Sequence, residues 1–197
     1  MTPEAGQDAA ARSRRAYGLA LVTLATGGLL VVFGYGRTWL TADVPLVAGA
    51  EGTERLQQYT GGALFPLAAA CGWLALAGLV GVVATRSWGR RLVAAVLVAA
   101  ALAAAAAAVA FAVDPAGQLG AVSGPGVATV VVAVESTPWW TVALAGALAV
   151  LAAAVWTIAR GGGWPTMGAR YDRSPRADIS PWEAMDKGQD PTDDLVE

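Results

Sequence analysis

Four long apolar stretches alternate with segments that carry nearly all of the charge. They run near Tyr17–Gly36, Ala63–Thr85, Leu92–Val113 and Trp139–Ala159, and none contains Asp, Glu, Lys or Arg. A helix needs about 20 predominantly apolar residues to cross the hydrocarbon core of a bilayer. A helix that is apolar on every side belongs in lipid or inside a large core, not at the surface of a small soluble domain. The third stretch is dominated by alanine but holds nine Leu, Val or Phe residues. Each favours insertion by roughly 0.3 to 0.6 kcal/mol, and no charge offsets them. The pattern predicts a four-span bundle.

Composition agrees. The chain has 197 residues, which makes one domain the default, and it is 56% hydrophobic and 14% charged. An ordinary soluble domain is about 25% charged. There is one cysteine, Cys71, and no histidine, so neither an intramolecular disulfide nor a Cys/His metal cluster is expected. Abundant Arg, Ala, Gly and Val beside little Lys point to a GC-rich bacterial genome.

The cations are segregated. Arg12, Arg14, Arg15, Arg86, Arg90, Arg91, Arg160, Arg170, Arg173, Arg176 and Lys187 fall on one side of the predicted membrane, and only Arg37 and Arg55 on the other. The positive-inside rule assigns the first group to the cytoplasm. The expected localisation is the bacterial plasma membrane, multi-pass, with both termini cytoplasmic. Residues 1–15 form a cytoplasmic N-terminal segment, 16–160 the transmembrane domain, and 161–197 a cytoplasmic tail. Trp39, Trp88, Trp139, Trp140 and Trp156 sit near span ends and read as an aromatic belt. Ser13-Arg14-Arg15-Ala16-Tyr17 resembles a twin-arginine export signal. The length of the stretch after it, the lack of a small-x-small cleavage site at Arg37–Thr41 and the three further spans favour uncleaved insertion.

Outside the spans, the outer loop 37–62 holds extended-favouring segments at Thr38–Thr41, Val44–Val47 and Arg55–Thr60, with a turn at Gly49–Thr53. In the outer loop 114–138, Asp114-Pro115 and Gln118–Gly126 are turn-rich, and Val127–Val134 is a β-forming run. The two loops are expected to pair into a small extracytoplasmic β-structured cap on the helix ends, because a lone hairpin would be marginal. Arg37, Trp39, Asp114 and Glu135 are its candidate contact residues, with an Arg37–carboxylate pair tying the cap to the bundle.

The tail is polar and too poor in apolar residues to bury a core, so it reads as mostly disordered. Within it, Ser180–Gly188 carries an N-cap Ser, a Pro at the first helical position, Glu183 at capping-box spacing and a closing Gly. A short helix over 181–187 would place Trp182 and Met185 on one face. Trp182, Glu183, Met185 and Asp186 are candidate docking residues for a cytoplasmic protein partner, the other reading being that Trp182 rests on the membrane surface or on the cytoplasmic loop.

Catalytic chemistry is hard to find. There is no histidine base, no phosphate-binding loop, no dinucleotide fingerprint and no basic stripe with interleaved aromatics. No enzyme activity, cofactor, metal or nucleic-acid partner is expected. The spans lack the ionisable residues that usually mark ion and proton pathways. Gly27, Gly28, Gly72, Gly78, Gly81, Ala145, Gly146 and Ala149 would serve helix contacts, within the bundle or in a homo-oligomer.

Three segments carry a resemblance: Arg37-Thr38-Trp39 closing span one, Thr60-Gly61-Gly62-Ala63-Leu64-Phe65-Pro66-Leu67-Ala68 opening span two, and the tail runs Met167–Asp172 and Trp182–Thr192. Together they resemble the actinobacterial tryptophan-biosynthesis-associated membrane proteins, the tryptophan operon-associated conserved hypothetical family, over nearly the whole chain. The resemblance implies a four-span protein linked to tryptophan metabolism, and it transfers no catalytic or binding residue. The expected function is a membrane accessory or scaffold protein. The alternatives are a small exporter or permease component for tryptophan or a related indole compound, and an envelope protein binding an extracytoplasmic partner.

Overall fold

A computed structural model describes residues 3–45, 54–85, 87–123 and 134–161. The tail from 162, with the predicted helix 181–187 and the candidates Trp182, Glu183, Met185 and Asp186, lies outside the described residues. So do the predicted turn at Gly49–Thr53 and most of the Val127–Val134 run. The elements are α1 (Pro3–Tyr35), β1 (Thr38–Pro45), β2 (Glu54–Thr60), α2 (Gly61–Leu64), α3 (Pro66–Ala84), α4 (Ser87–Val113), α5 (Pro115–Ser123), β3 (Val134–Ser136) and α6 (Trp139–Arg160).

Four helices are long and apolar enough to cross a membrane: Ala11–Tyr35 within α1, α3, Trp88–Val113 within α4, and α6. Helix α1 begins well before the first apolar stretch, so Arg12, Arg14 and Arg15 are helical and exposed. Helix α4 likewise starts at Ser87, which puts Arg90 and Arg91 inside the helix and not in the loop expected for them. The opening of the second span divides at Pro66, which lacks the amide proton a continuous helix would need there and instead takes the first-turn position of α3.

Helices α1 and α4 each pack against both α3 and α6. The contacts run in opposite senses along each pair. Gly27 of α1 meets Gly146 and Val150 of α6, while Gly34 meets Ala143. Gly78 of α3 meets Leu97 of α4, while Gly81 meets Val93. The bundle is therefore an up-down-up-down four-helix arrangement. Its closest approach is between α1 and α6. A Cβ built on Gly27 would lie 2.9 Å from the Gly146 carbonyl oxygen, and one on Gly146 would lie 2.8 Å from the Gly27 carbonyl oxygen. In lipid, where apolar burial gives no preference for helix over lipid, such backbone proximity is a main source of association. Of the small residues expected to serve helix contacts, Gly27, Gly28, Gly72, Gly78 and Gly146 are buried, whereas Ala145 is exposed. Large side chains such as Leu67, Trp73, Val80 and Val113 point outward, as a lipid-facing surface requires.

The strands form one sheet in the order β2-β1-β3. β1 and β2 pair antiparallel from Thr38↔Thr60 to Pro45↔Glu54, and β3 adds to the other edge with Leu40↔Ser136 and Ala42↔Val134. The sheet joins segments from both predicted loops, as their composition indicates. One expectation fails. Gln118–Ser123 belongs to helix α5, not to a turn-rich loop. The Asp114 carboxylate accepts a hydrogen bond from the Gly117 amide at 2.9 Å, with Pro115 opening the helix, which makes Asp-Pro an N-terminal helix signal.

Candidate functional site

The residues with the most specific geometry gather at the end of the bundle that bears the sheet. The β1–β2 register slips between Thr38 and Leu40, leaving Trp39 as an extra residue on β1. Successive strand residues normally face opposite sides. The bulge breaks this alternation, and Trp39 and Leu40 are both fully buried. Trp39 is thus a core residue, contrary to its expected place in an aromatic belt. An indole can be buried without penalty only when its N–H finds an acceptor. Here Nε1 donates to the Gly34 carbonyl oxygen at 2.8 Å. That carbonyl lies in the last turn of α1, where carbonyls lack intrahelical partners, and the Arg37 amide donates to it as well at 3.2 Å.

Aromatic rings surround this indole. Tyr35, Phe111 and Phe65 lie 4.7, 5.0 and 6.1 Å from Trp39 between ring centroids. Gly61 sits directly against the indole face, where a Cβ would collide with the ring carbons. The Tyr35 hydroxyl donates to the Ala104 carbonyl oxygen at 2.7 Å, reaching across the bundle from α1 to α4. Leu64, Ala68, Leu119 and Ala143 join the buried cluster, so α1, α2, α3, α4, α5, α6 and β1 all contribute to it.

Two of the sequence segments that carry the family resemblance meet in this cluster. Arg37-Thr38-Trp39 is joined to Thr60–Ala68 by the Gly61 amide, which donates to the Arg37 carbonyl at 3.1 Å, and by the Thr38↔Thr60 pairing. Thr60 caps α2 through its hydroxyl, which accepts from the Ala63 amide at 3.1 Å. The motif therefore encodes a cap, a glycine that admits the indole, an aromatic neighbour in Phe65 and a helix restart at Pro66.

The other expected contacts separate. The Arg37 guanidinium lies 4.2 Å from the Phe33 ring centroid and 5.5 Å from that of Trp139. Asp114 is committed to capping α5, and Glu135 is an exposed residue of β3 opposite Thr41. Among the described residues no ion pair joins Arg37 to Asp114 or Glu135. The cap is tied to the bundle through Trp39 and main-chain bonds, with Thr137 donating from its amide to the Trp39 carbonyl at 2.8 Å and from its hydroxyl to that of Thr38. Charge was the wrong signal because Phe33 and Trp139 offer Arg37 a ring stack that needs no desolvated carboxylate.

A second node closes the opposite end, where the helices carrying the chain termini lie. Arg90 is buried, and its guanidinium donates to the carbonyls of Val82 at 3.1 Å, Thr85 at 3.3 Å and Gly161 at 2.9 Å. These carbonyls belong to the ends of α3 and α6, which have no helical donors left. The Tyr17 ring of α1 lies 5.6 Å from the same guanidinium. One side chain on α4 thus reaches all three other helices. In the sequence Arg90 is a topology signal only; the clue to its second role is the short α3–α4 connection, which leaves Arg90 within reach of the carbonyls ending α3.

The described residues contain no group of three or more His, Cys, Asp or Glu side chains able to hold a metal ion. No curated protein and no solved structure matches the chain. A family model does, over residues 20–192, which takes in the first apolar helix from Ala20 onward, the other three entirely and both motif segments. With that coverage, and with those motifs folded against one another, the chain belongs to the tryptophan-associated transmembrane protein family.

Proposed function

We propose that this protein is a membrane-anchored accessory protein, not an enzyme or a channel, serving tryptophan metabolism at the bacterial plasma membrane. Its termini face the cytoplasm and its sheet the outside, because the cation asymmetry of eleven to two favours that orientation. The observation that carries the reading is the filled interior of the bundle. Among the described residues the buried polar side chains are Arg90 and Thr157, apart from the aromatic Tyr35 and Trp39. Each of them bonds main-chain carbonyls of the bundle itself. Such an interior offers no conduit for a polar solute through one copy of the chain. Activity then falls to the segments outside it. The cytoplasmic tail docks a soluble protein partner through Trp182, Glu183, Met185 and Asp186, and the sheet stabilises the anchor.

The test compares a tryptophan-limited deletion strain carrying the full chain, a chain ending at residue 164, and Trp182→Ala. The accessory reading expects both altered chains to reach wild-type abundance and to fail in restoring growth. Restoration by the truncated chain, together with altered tryptophan efflux, would replace this reading with the exporter.

A further inference from the structure

Trp73 stands where an indole is least at ease in a membrane. It is the eighth of the 19 residues of α3, two positions from the middle of the helix. At 1.5 Å per residue that is about 3 Å from the centre of the span, and the headgroup zone begins about 15 Å from the bilayer centre. The side chain is 64% exposed and points out of the bundle. Among the described residues its indole N–H has no hydrogen-bond acceptor. The other exposed tryptophans of the described residues, Trp88, Trp139 and Trp156, stand within about one turn of a helix end, where an indole reaches the headgroups. Against hydrocarbon alone, Trp73 would keep an unpaired donor in a medium with no water to satisfy it.

The positions around it follow a pattern. Ala70, Trp73, Ala77, Val80 and Ala84 are all exposed, at steps of three, four, three and four residues along α3. That is the spacing of a seam between two supercoiled helices. The seam alternates in size. Alanine recurs every seventh residue at 70, 77 and 84, and the larger Trp73 and Val80 stand seven apart between them. A hollow flanks it. Leu74, Ala77 and Gly81 of α3 and Leu92 and Val96 of α4 line a groove of ≈ 260 Å³ on the outside of the bundle. One surface thus carries both projecting side chains and the recesses to take them.

A surface of this kind fits a second copy of itself. The cation asymmetry inserts every copy in the same direction, so two copies pair their α3 helices in parallel about a two-fold axis along the membrane normal, and each seam residue meets its counterpart at the same depth. Knobs-into-holes packing then seats Trp73 among the partner's Ala70, Leu74 and Ala77, and Val80 among the partner's Ala77, Gly81 and Ala84. The flanking groove is the recess that the second of these side chains needs. We infer that α3 is the face through which two copies of this protein associate, with Trp73 and Val80 as the projecting contacts. The pairing removes the indole from hydrocarbon. It also brings the N–H beside helix carbonyls that alanine leaves approachable, and a carbonyl oxygen has a second lone pair with which to accept. A lipid chain in the same place offers no acceptor.

The experiment uses the full chain in native membranes. Cys71→Ser removes the natural thiol, and one cysteine is then introduced at a time. Ala70→Cys and Ala77→Cys lie on the seam, whereas Leu148→Cys and Leu102→Cys lie at exposed mid-span positions of α6 and α4. Oxidation with copper phenanthroline should give at least five times more disulfide-linked dimer from the two seam positions than from the other two. Trp73→Ala, combined with Ala77→Cys, should cut the dimer yield at least threefold at equal abundance in the membrane. Should that variant lose abundance, Ala70→Phe takes its place, since it fills the recess and keeps the indole. Equal yields at all four positions would mean random collision and overturn the proposal. So would a seam that gives no dimer, a yield indifferent to both Trp73→Ala and Ala70→Phe, or cross-linking of the seam to a different protein in place of a second copy.

Discussion

The indole nitrogen of Trp39 donates to the carbonyl oxygen of Gly34 at 2.8 Å, joining a bulged strand to the last turn of the helix that precedes it. The bond gives the buried N–H an acceptor and fixes how the chain leaves α1. Trp39→Phe keeps most of the ring packing and loses the bond. It should lower stability by about 1 to 2 kcal/mol, whereas Trp39→Ala should cost about 3 to 5 kcal/mol through the cavity it leaves. Thermal unfolding in detergent separates the two, and wild-type stability in Trp39→Phe would mean that the hydrogen bond contributes nothing.

Gly61 faces that indole with no room for a side chain. Gly61→Ala should therefore displace the ring and cost about 1 to 3 kcal/mol. Tryptophan fluorescence and the melting temperature should change together. An unaltered emission spectrum with wild-type stability would show that the β1 bulge can yield.

Arg90→Met should destabilise the bundle by about 3 kcal/mol, since it strips the donors from carbonyls of Val82, Thr85 and Gly161. Arg90→Lys keeps the charge but offers a compact ammonium in place of a planar fork. It should recover only part of the loss. Full recovery by lysine would assign the effect to charge and not to the bridging geometry.

Arg37 and Asp114 have separate partners, a ring stack and a helix cap. Arg37→Ala should cost about 0.5 to 1 kcal/mol and Asp114→Ala about 1 kcal/mol. The double substitution should equal their sum within about 0.5 kcal/mol. A larger coupling energy in the double-mutant cycle would restore the ion pair that the sequence suggested.

Much of this architecture is legible in the sequence. The four apolar stretches set the helices, because lipid demands length and apolarity of every span. The β-forming runs in the two loops anticipated a shared sheet. Trp39 was misread because proximity to a span end describes a belt residue and a core residue equally well; only the bulge decides between them, and it depends on pairing with residues some twenty positions later. Arg90 escaped notice for a related reason. Its partners are main-chain carbonyls, which every residue has and no sequence pattern marks. Gly27 and Gly146 were recognised as contact residues, but their pairing across the chain was not, since small residues advertise closeness without naming a partner.

That pairing constrains how the protein is made. Gly27 and Gly146 lie on the first and last membrane-spanning helices, so the tightest contact in the bundle cannot form until synthesis is almost finished. While the ribosome is still extending the middle spans, α1 waits in the bilayer with its glycine face uncovered. A chain interrupted before Trp139 leaves that face permanently open. Completion of α6 therefore acts as the final latch of assembly, and quality control that senses exposed small-residue faces in the membrane would distinguish finished copies from truncated ones.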